Sequence, residues 1–543
     1  MKKTIRKIYL CFIITILFTT GIALGNDTNL ENKEYTEIYK QWLELSDEQK
    51  ENVIEPSKYN FYSKDTKEEI QLANQKMNLK SLVKMAKSST YATSPKFSLK
   101  TLIDNNLEIK DQKSTNFCWA FASISSLETN LALKNYNDNK DDKIYDYSER
   151  HMVYSMTQSF KDGQVNTNGW KQKAKDGGTT TMSMAYLTNG SGAINEEDMK
   201  FVDSQEEIDI NDIKNKQVQT TVKDIRNFDS IYITKNDGAI DANKNKIKDS
   251  EIESLKEQIK EHISTSGSVK ASIYMPNFDN NVHINLKSGA IYNLIDSYED
   301  IKKEMTKKDG VYVNHAVSII GWDDNYSKDN FSVSLEGNGA FICVNSWGDS
   351  FGDDGLFYVS YYDSNIGIHN VVYTRVEDND NYDNIYQSDL CGWVGQLGYE
   401  CDTAYFSNVY TAQSDEELKS VGFYATGKDT SYEIYYVDNF EGTESFCNKV
   451  YLQSGKFTNE GYYTVDLNKA VNMAEGKKYA IIVKITTPGA VHPIAIEYKA
   501  GRSTKNVVID DGEGYISLIG KSWEHVEESK ECNICLKMYT KNM

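Results

Sequence analysis

Proline is scarce in this chain, with five in 543 residues, and no function follows from that. Cysteine is sparse too. Of the eight present, Cys11 sits inside an N-terminal apolar run, so a processed chain keeps too few to be a disulfide-dense scaffold. The remaining odd count points to at least one free thiol. Cys391/Cys401 and Cys532/Cys535 are close enough in sequence to be bridged, although spacing does not set connectivity. Positive charge is in deficit. Sixty Lys and Arg face 80 Asp and Glu, a net charge of −20, which repels nucleic acid and anionic membrane surfaces and favours solubility. His151, His262, His283, His369, His492 and His525 show no metal-ligand spacing. Past the N-terminus no run is long and apolar enough to span a membrane. Heptads and fixed-period repeats are also missing.

What is present suffices for ordinary cores. Hydrophobic residues make up 39% and aromatic residues 12%. The start, MKKTIRKIYLCFIITILFTTGIALGN, has a basic head, an apolar run and small residues. It reads as a secretory signal over residues 1–25, cut after Ala23-Leu24-Gly25. Residues 26–95 carry apolar positions Tyr39, Trp42, Leu43 and Leu45 near helical spacing, a stop at Pro56, and a second helical stretch ending before the small-residue run 88–94.

Residues 96–375 place helices first and strands later, an α+β layout with two lobes. The segment NFCWAFASISSLETNLALKN predicts a helix with one buried stripe through Phe121, Ile124, Leu127 and Leu131. Residues 200–255 are strongly polar and look inserted. Within them Asp241, Asn243, Asn245, Ile247 and Glu251 resemble a calcium loop, but the central glycine is missing and the loop is one residue short, so a solvated loop is the better reading. Short alternating segments from 380 to 543 predict a β-sandwich.

Three motifs carry chemistry. The first is Gln112, six residues before Cys118-Trp-Ala-Phe121. A cysteine opening a helix gains thiolate character from the helix dipole. The Gln112 amide and the Cys118 N–H form a two-donor oxyanion hole in this reading. The second is Asn314-His315-Ala316, where His315 begins a strand and serves as the general base. The third is Asn345-Ser346-Trp347-Gly348, in which Asn345 orients the imidazole and Trp347 shields that bond from water. Each motif alone also reads as ordinary structure: a buried cysteine, a strand-start histidine, a turn.

In this order the motifs resemble the papain family of cysteine proteases. Tyr147-Ser-Glu-Arg150, Gly177-Gly178, Gly267-Ser-Val and Gly289-Ala-Ile-Tyr292 add to the likeness, which covers residues 100–375. The resemblance implies a two-lobed papain-like fold and catalysis by Cys118, His315, Asn345 and Gln112. It also implies a substrate cleft along Gly177, Gly178 and Trp347, with no cofactor required. Thr115 stands where the family has a disulfide-bonded cysteine. Phe117 is bulkier than usual and is expected to narrow the adjacent subsite. The polar insertion accounts for most of the long Cys118–His315 separation. The segment 26–95 is similar to the pro-segments of bacterial papain-like proteases. The stretch 380–543 is similar to the lectin-like domain that follows such proteases in Gram-positive anaerobes; the matching segments include NIYQSD, GYYTVDL and IAIEY.

The family relatives carry cell-wall-binding repeats that are not found in this sequence. The expectation is a secreted or loosely surface-associated endopeptidase made as a proenzyme. Its partners are surface or extracellular proteins, with a surface glycan or wall polymer on the sandwich. The competing readings are a surface-binding protein with a vestigial protease fold and a transglutaminase-like acyl transferase.

Overall fold

A computed structural model describes residues 94–543, apart from 101, 104–106, 139–143, 167–168, 242–244, 276–283, 286, 298, 301–312, 380, 501–503 and 510–511. The expected signal segment and the two helices of 26–95 lie outside the described residues. The first unit runs through β1 (Lys96–Ser98), α1 (Cys118–Asn137), α2 (Glu149–Ser155), α3 (Thr180–Thr188), β2 (Thr220–Asn227), α4 (Asp249–Ser266), β3 (Val269–Ile273), β4 (His315–Asp323), β5 (Ala340–Val344), β6 (Leu356–Ser360) and β7 (Ile368–Asp378). The second adds β8 (Asn384–Tyr386), β9 (Thr403–Thr411), β10 (Glu416–Ala425), β11 (Thr430–Val437), β12 (Val450–Phe457), β13 (Gly461–Met473), β14 (Lys478–Thr486), β15 (Ile494–Tyr498), β16 (Gly514–Ser517), β17 (Cys532–Ile534) and β18 (Leu536–Asn542).

Helix α1 is more deeply set than its single stripe predicts. Trp119–Leu133 are buried on nearly every side, except for Ser125. Ser123 and Thr129 bond to the helix's own carbonyls, and Glu128 and Asn130 find partners outside it, which removes the penalty for burying them. Ser123 Oγ donates to the Trp119 carbonyl at 2.7 Å and Thr129 Oγ1 to the Ser125 carbonyl at 2.8 Å. The helix separates a helical core containing Trp119, Met152, Tyr154 and Tyr186 from a strand core containing Ile259, Ile263, Ile319 and Phe357. Those cores are the two expected lobes.

Thirteen strands form one sheet that crosses both units. Its order is β8–β18–β10–β13–β2–β7–β3–β4–β5–β6, continuing into Ala290–Ile291 and Ile284–Asn285, with β1 on β4. The second unit closes with a six-stranded sheet, β12–β11–β14–β9–β16 and Glu524–His525. Val421, Phe423 and Leu536 of one sheet meet Phe406, Ile434 and Val483 of the other in a shared core, the sandwich expected from the alternation.

The reading of 200–255 as an insertion needs correction. Its residues 220–227 are β2, the strand joining the two units, and α4 packs Leu255, Ile259 and Ile263 onto the strand core. Polar side chains disguise β2. Lys223 is buried with Nζ 3.4 Å from the Tyr382 ring centroid, and Asp224 accepts from the Thr464 N–H at 3.0 Å.

Candidate active site

Cys118 is the first residue of α1, and Phe117 at the N-cap makes no side-chain capping bond. The first-turn N–H groups therefore lack a side-chain acceptor, and the helix dipole favours an anion there. Phe117 turns inward. It is fully buried and meets Tyr154 and Phe201 edge-on, each at 6.4 Å. It does not narrow a subsite, because its ring belongs to the helical core.

His315 opens β4 opposite Ile273 of β3. Asn314 fixes this entry: its Oδ1 accepts from the Met275 N–H at 2.7 Å and its Nδ2 donates to the Met275 carbonyl at 3.0 Å. His315 bonds to Cys118 on one side. On the other, its Nε2 lies 2.8 Å from Asn345 Oδ1. The Ser346 N–H donates to the same oxygen at 2.8 Å, which sets the amide so that the imidazole donates to it. The Trp347 ring stands 4.9 Å from the His315 ring at 37°, and Phe351 meets Trp347 edge-on at 5.0 Å. Asn345 itself is buried.

Burial opposes charge on both reacting groups, pushing the Cys118 thiol up and the His315 imidazolium down. Their mutual hydrogen bond and charge outweigh it. The Ala316 N–H and Lys270 add to the effect at sulfur, and Asn345 adds to it at the ring. Cys118 ends below its ordinary pKa and His315 above it, which favours a thiolate–imidazolium pair.

Gln112 is buried beside this pair. Its Oε1 accepts from Ser346 Oγ at 2.6 Å, and its Nε2 donates to the Thr115 carbonyl. The amide nitrogen has a second hydrogen to offer. Thr115 ties the loop from within, donating its hydroxyl to the Gln112 carbonyl at 2.7 Å. Gly177 and Gly178 lie against the nucleophile's turn. A Cβ on Gly178 would stand 2.3 Å from Trp119 Cε2, and one on Gly177 would stand 3.7 Å from the Asn116 carbonyl. All seven expected site residues thus gather on the segment 111–119 and the start of β4.

The calcium reading of 241–251 finds its ligands otherwise engaged. Asp241 accepts from the Asn245 N–H and Nδ2, both at 2.8 Å, and Glu251 accepts from the Lys248 N–H at the start of α4. Asn243 lies outside the described residues. None of the seven described cysteines is disulfide-bonded, so neither Cys391/Cys401 nor Cys532/Cys535 is a bridge in this structure.

Residues 101–376 match the model of the papain family of cysteine proteases. The chain belongs to that family. Residues 385–540 match the lectin like domain model, which covers the sandwich. No curated protein matches the chain at a significant level. Among solved structures, the clostridial cysteine protease Cwp84 after propeptide cleavage is 26% identical, with a TM-score of 0.65 over 83% of this chain and 100% of that one. The cysteine protease and lectin-like domains of Cwp84, a surface layer associated protein of Clostridium difficile, give 24% identity and a TM-score of 0.67 over 94% and 98%.

Sequence reading missed three residues that build the site of this papain-family protease. Ser346 links Asn345 to Gln112; its place inside the Asn-Ser-Trp-Gly motif was the available signal. Lys110 holds the loop before Gln112, with Nζ 2.8 Å from Glu128, 2.8 Å from Glu149 and 2.9 Å from Asp146. The third is Lys270 on β3, whose charge reaches Cys118. No sequence spacing signals either lysine.

Proposed function

We propose that this papain-family protease is a secreted endopeptidase, made as a proenzyme, that cleaves surface or extracellular proteins by a Cys118–His315–Asn345 mechanism. The observation that carries the reading is the linked pair of hydrogen bonds, Cys118 to His315 and His315 to Asn345, with the two pKa values moved toward the ion pair. The Cys118 thiolate attacks the peptide carbonyl carbon, forming a C–S bond while the carbonyl electrons move to oxygen. Gln112 Nε2 and the Cys118 N–H donate to that oxyanion. His315 protonates the departing amine as the C–N bond breaks. Water, deprotonated by His315, then attacks the thioester, and the acid leaves as the thiolate re-forms. Asn345 keeps the ring in its working tautomer, and the substrate lies extended along Gly177 and Gly178 beneath Trp347.

Residues 1–25 act as the signal peptide and 26–95 as the pro-segment in this reading. The observed pairing argues for a cut slightly upstream of that boundary. The Ser94 carbonyl accepts from Trp322 Nε1 at 2.8 Å and the Pro95 carbonyl from the Asp324 N–H at 2.8 Å. This pairing supports a mature enzyme that keeps Ser94. The likeness to a surface layer associated protein supports surface proteins as substrates, and the lectin-like domain supports a carbohydrate ligand, testable on a glycan array.

The test is incubation of the signal-less chain under reducing conditions beside Cys118→Ala, with and without a thiol-trapping epoxide. Wild-type loss of the pro-segment and casein cleavage, absent in the variant and blocked by the epoxide, is the expected result. If both proteins stay inert after added protease has removed the pro-segment, the reading is wrong.

A further inference from the structure

Lys270 is 1% exposed, yet no carboxylate pairs with it among the described residues. The other buried lysines among the described residues have carboxylates beside them. Lys110 meets three carboxylates, Lys537 has Asp389 at 2.7 Å, Lys260 has Asp324 at 2.8 Å, and Lys223 has Glu377 at 3.8 Å. Lys270 instead donates to two hydroxyls, Thr180 Oγ1 and Ser272 Oγ, the latter at 3.2 Å. An isolated buried cation is costly, so its setting calls for a negative partner.

Position says where that partner comes from. Thr180 follows Gly178 by two residues and begins α3. Ser272 pairs across the sheet with Ala316, the residue after His315. The Lys270 charge also acts on the Cys118 sulfur. The ammonium therefore lies behind the cleft wall, between the nucleophile and the glycine shelf. Both hydroxyls accept from Lys270, which turns their own protons away from it. Thr180 is only half-buried, and Ser272 keeps 8% exposure. Among the described residues, the Cys118 sulfur is the one anion whose charge acts on Lys270, and no carboxylate shares it.

We propose that Lys270, acting with Thr180 and Ser272, makes this protease select substrates with a carboxylate side chain on the acyl side of the scissile bond, within three residues of the cut. The inference rests on the endopeptidase reading above. Burial lowers the Lys270 pKa to about 8, opposed by the Cys118 thiolate, so the group stays cationic at neutral pH.

A peptide library varied among Glu, Gln and Leu at each of the three positions before the cut tests it, with wild type, Lys270→Met and Thr180→Val compared. At one of those positions the wild type is expected to favour Glu over Gln and Leu in kcat/KM by about tenfold or more, the scale of one charge-assisted hydrogen bond. Lys270→Met is expected to abolish most of that ratio, on top of any uniform loss of rate from the less stabilised thiolate, and Thr180→Val to reduce it partly. A wild type without acidic preference at any of the three positions overturns the proposal, even if Lys270→Met fails to fold. So does a Lys270→Met enzyme that slows on all peptides equally, since the lysine would then act only on the thiolate. A wild type that cleaves nothing in the library defeats the endopeptidase reading instead.

Discussion

At the scale of single residues, the chemistry depends on groups held against their preferred solvation. In the proposed mechanism the active form needs Cys118 deprotonated and His315 protonated. Activity should therefore rise as pH passes the lowered Cys118 pKa and fall as it passes the raised His315 pKa, giving a kcat/KM plateau across neutrality. Asn345 helps raise the His315 value, so Asn345→Ala should move the alkaline limb to lower pH. Its kcat/KM should drop about 10- to 100-fold as the ring loses its orienter. A pH–rate series on both proteins checks the sign. Lys110 is different in kind. Replacing it with Met strands Glu128 and Glu149, 3% and 1% exposed, as like charges without a cation. The expected cost is about 3–5 kcal/mol of stability, read from denaturant midpoints.

At the scale of elements, the strand β2 decides how the two units are joined. It pairs with β7 along its length and with β13 at Gly461–Tyr463. Gly461 permits that approach, because a Cβ there would stand 1.9 Å from the Ile225 carbonyl oxygen. Gly461→Val should push β13 off β2. Calorimetry should then resolve two unfolding transitions in place of one, and limited proteolysis should cut between 376 and 385. Unchanged melting would show that the three-residue pairing contributes little. The alternating β9–β11 were legible because each has one apolar face, whereas α4 was hidden in a stretch whose exposed faces are strongly polar. Strand β2 was not, since Lys223, Asp224 and Arg226 hide a buried strand whose partners lie far along the chain.

At the scale of the whole molecule, the lectin-like domain is built into the protease sheet. Tyr424 and Tyr462 of the sandwich belong to the same core as Trp119 and Tyr186. Tyr462 and Tyr539 hydroxyls also bond each other at 2.5 Å under β2. A chain truncated after residue 379 would expose these surfaces and an open edge of β2. It should be aggregation-prone by light scattering and melt well below the full chain. A soluble, fully active truncation would instead make the sandwich an independent tethered module.

The chain's local order of residues was enough to propose a nucleophile, a base, an orienter and an oxyanion glutamine, because each motif is short and their order resembles that of the papain family. The α+β-then-β architecture was equally legible from periodicity. Spacing could not disclose the ties that make these residues one site. Ser346 reaches back to Gln112, Lys110 gathers Glu128 and Glu149, and Lys270 donates to Thr180. Burial energies and long-range hydrogen bonds act between residues that only the folded backbone brings together, and so tertiary structure alone decided those contacts and the sheet shared by the two domains.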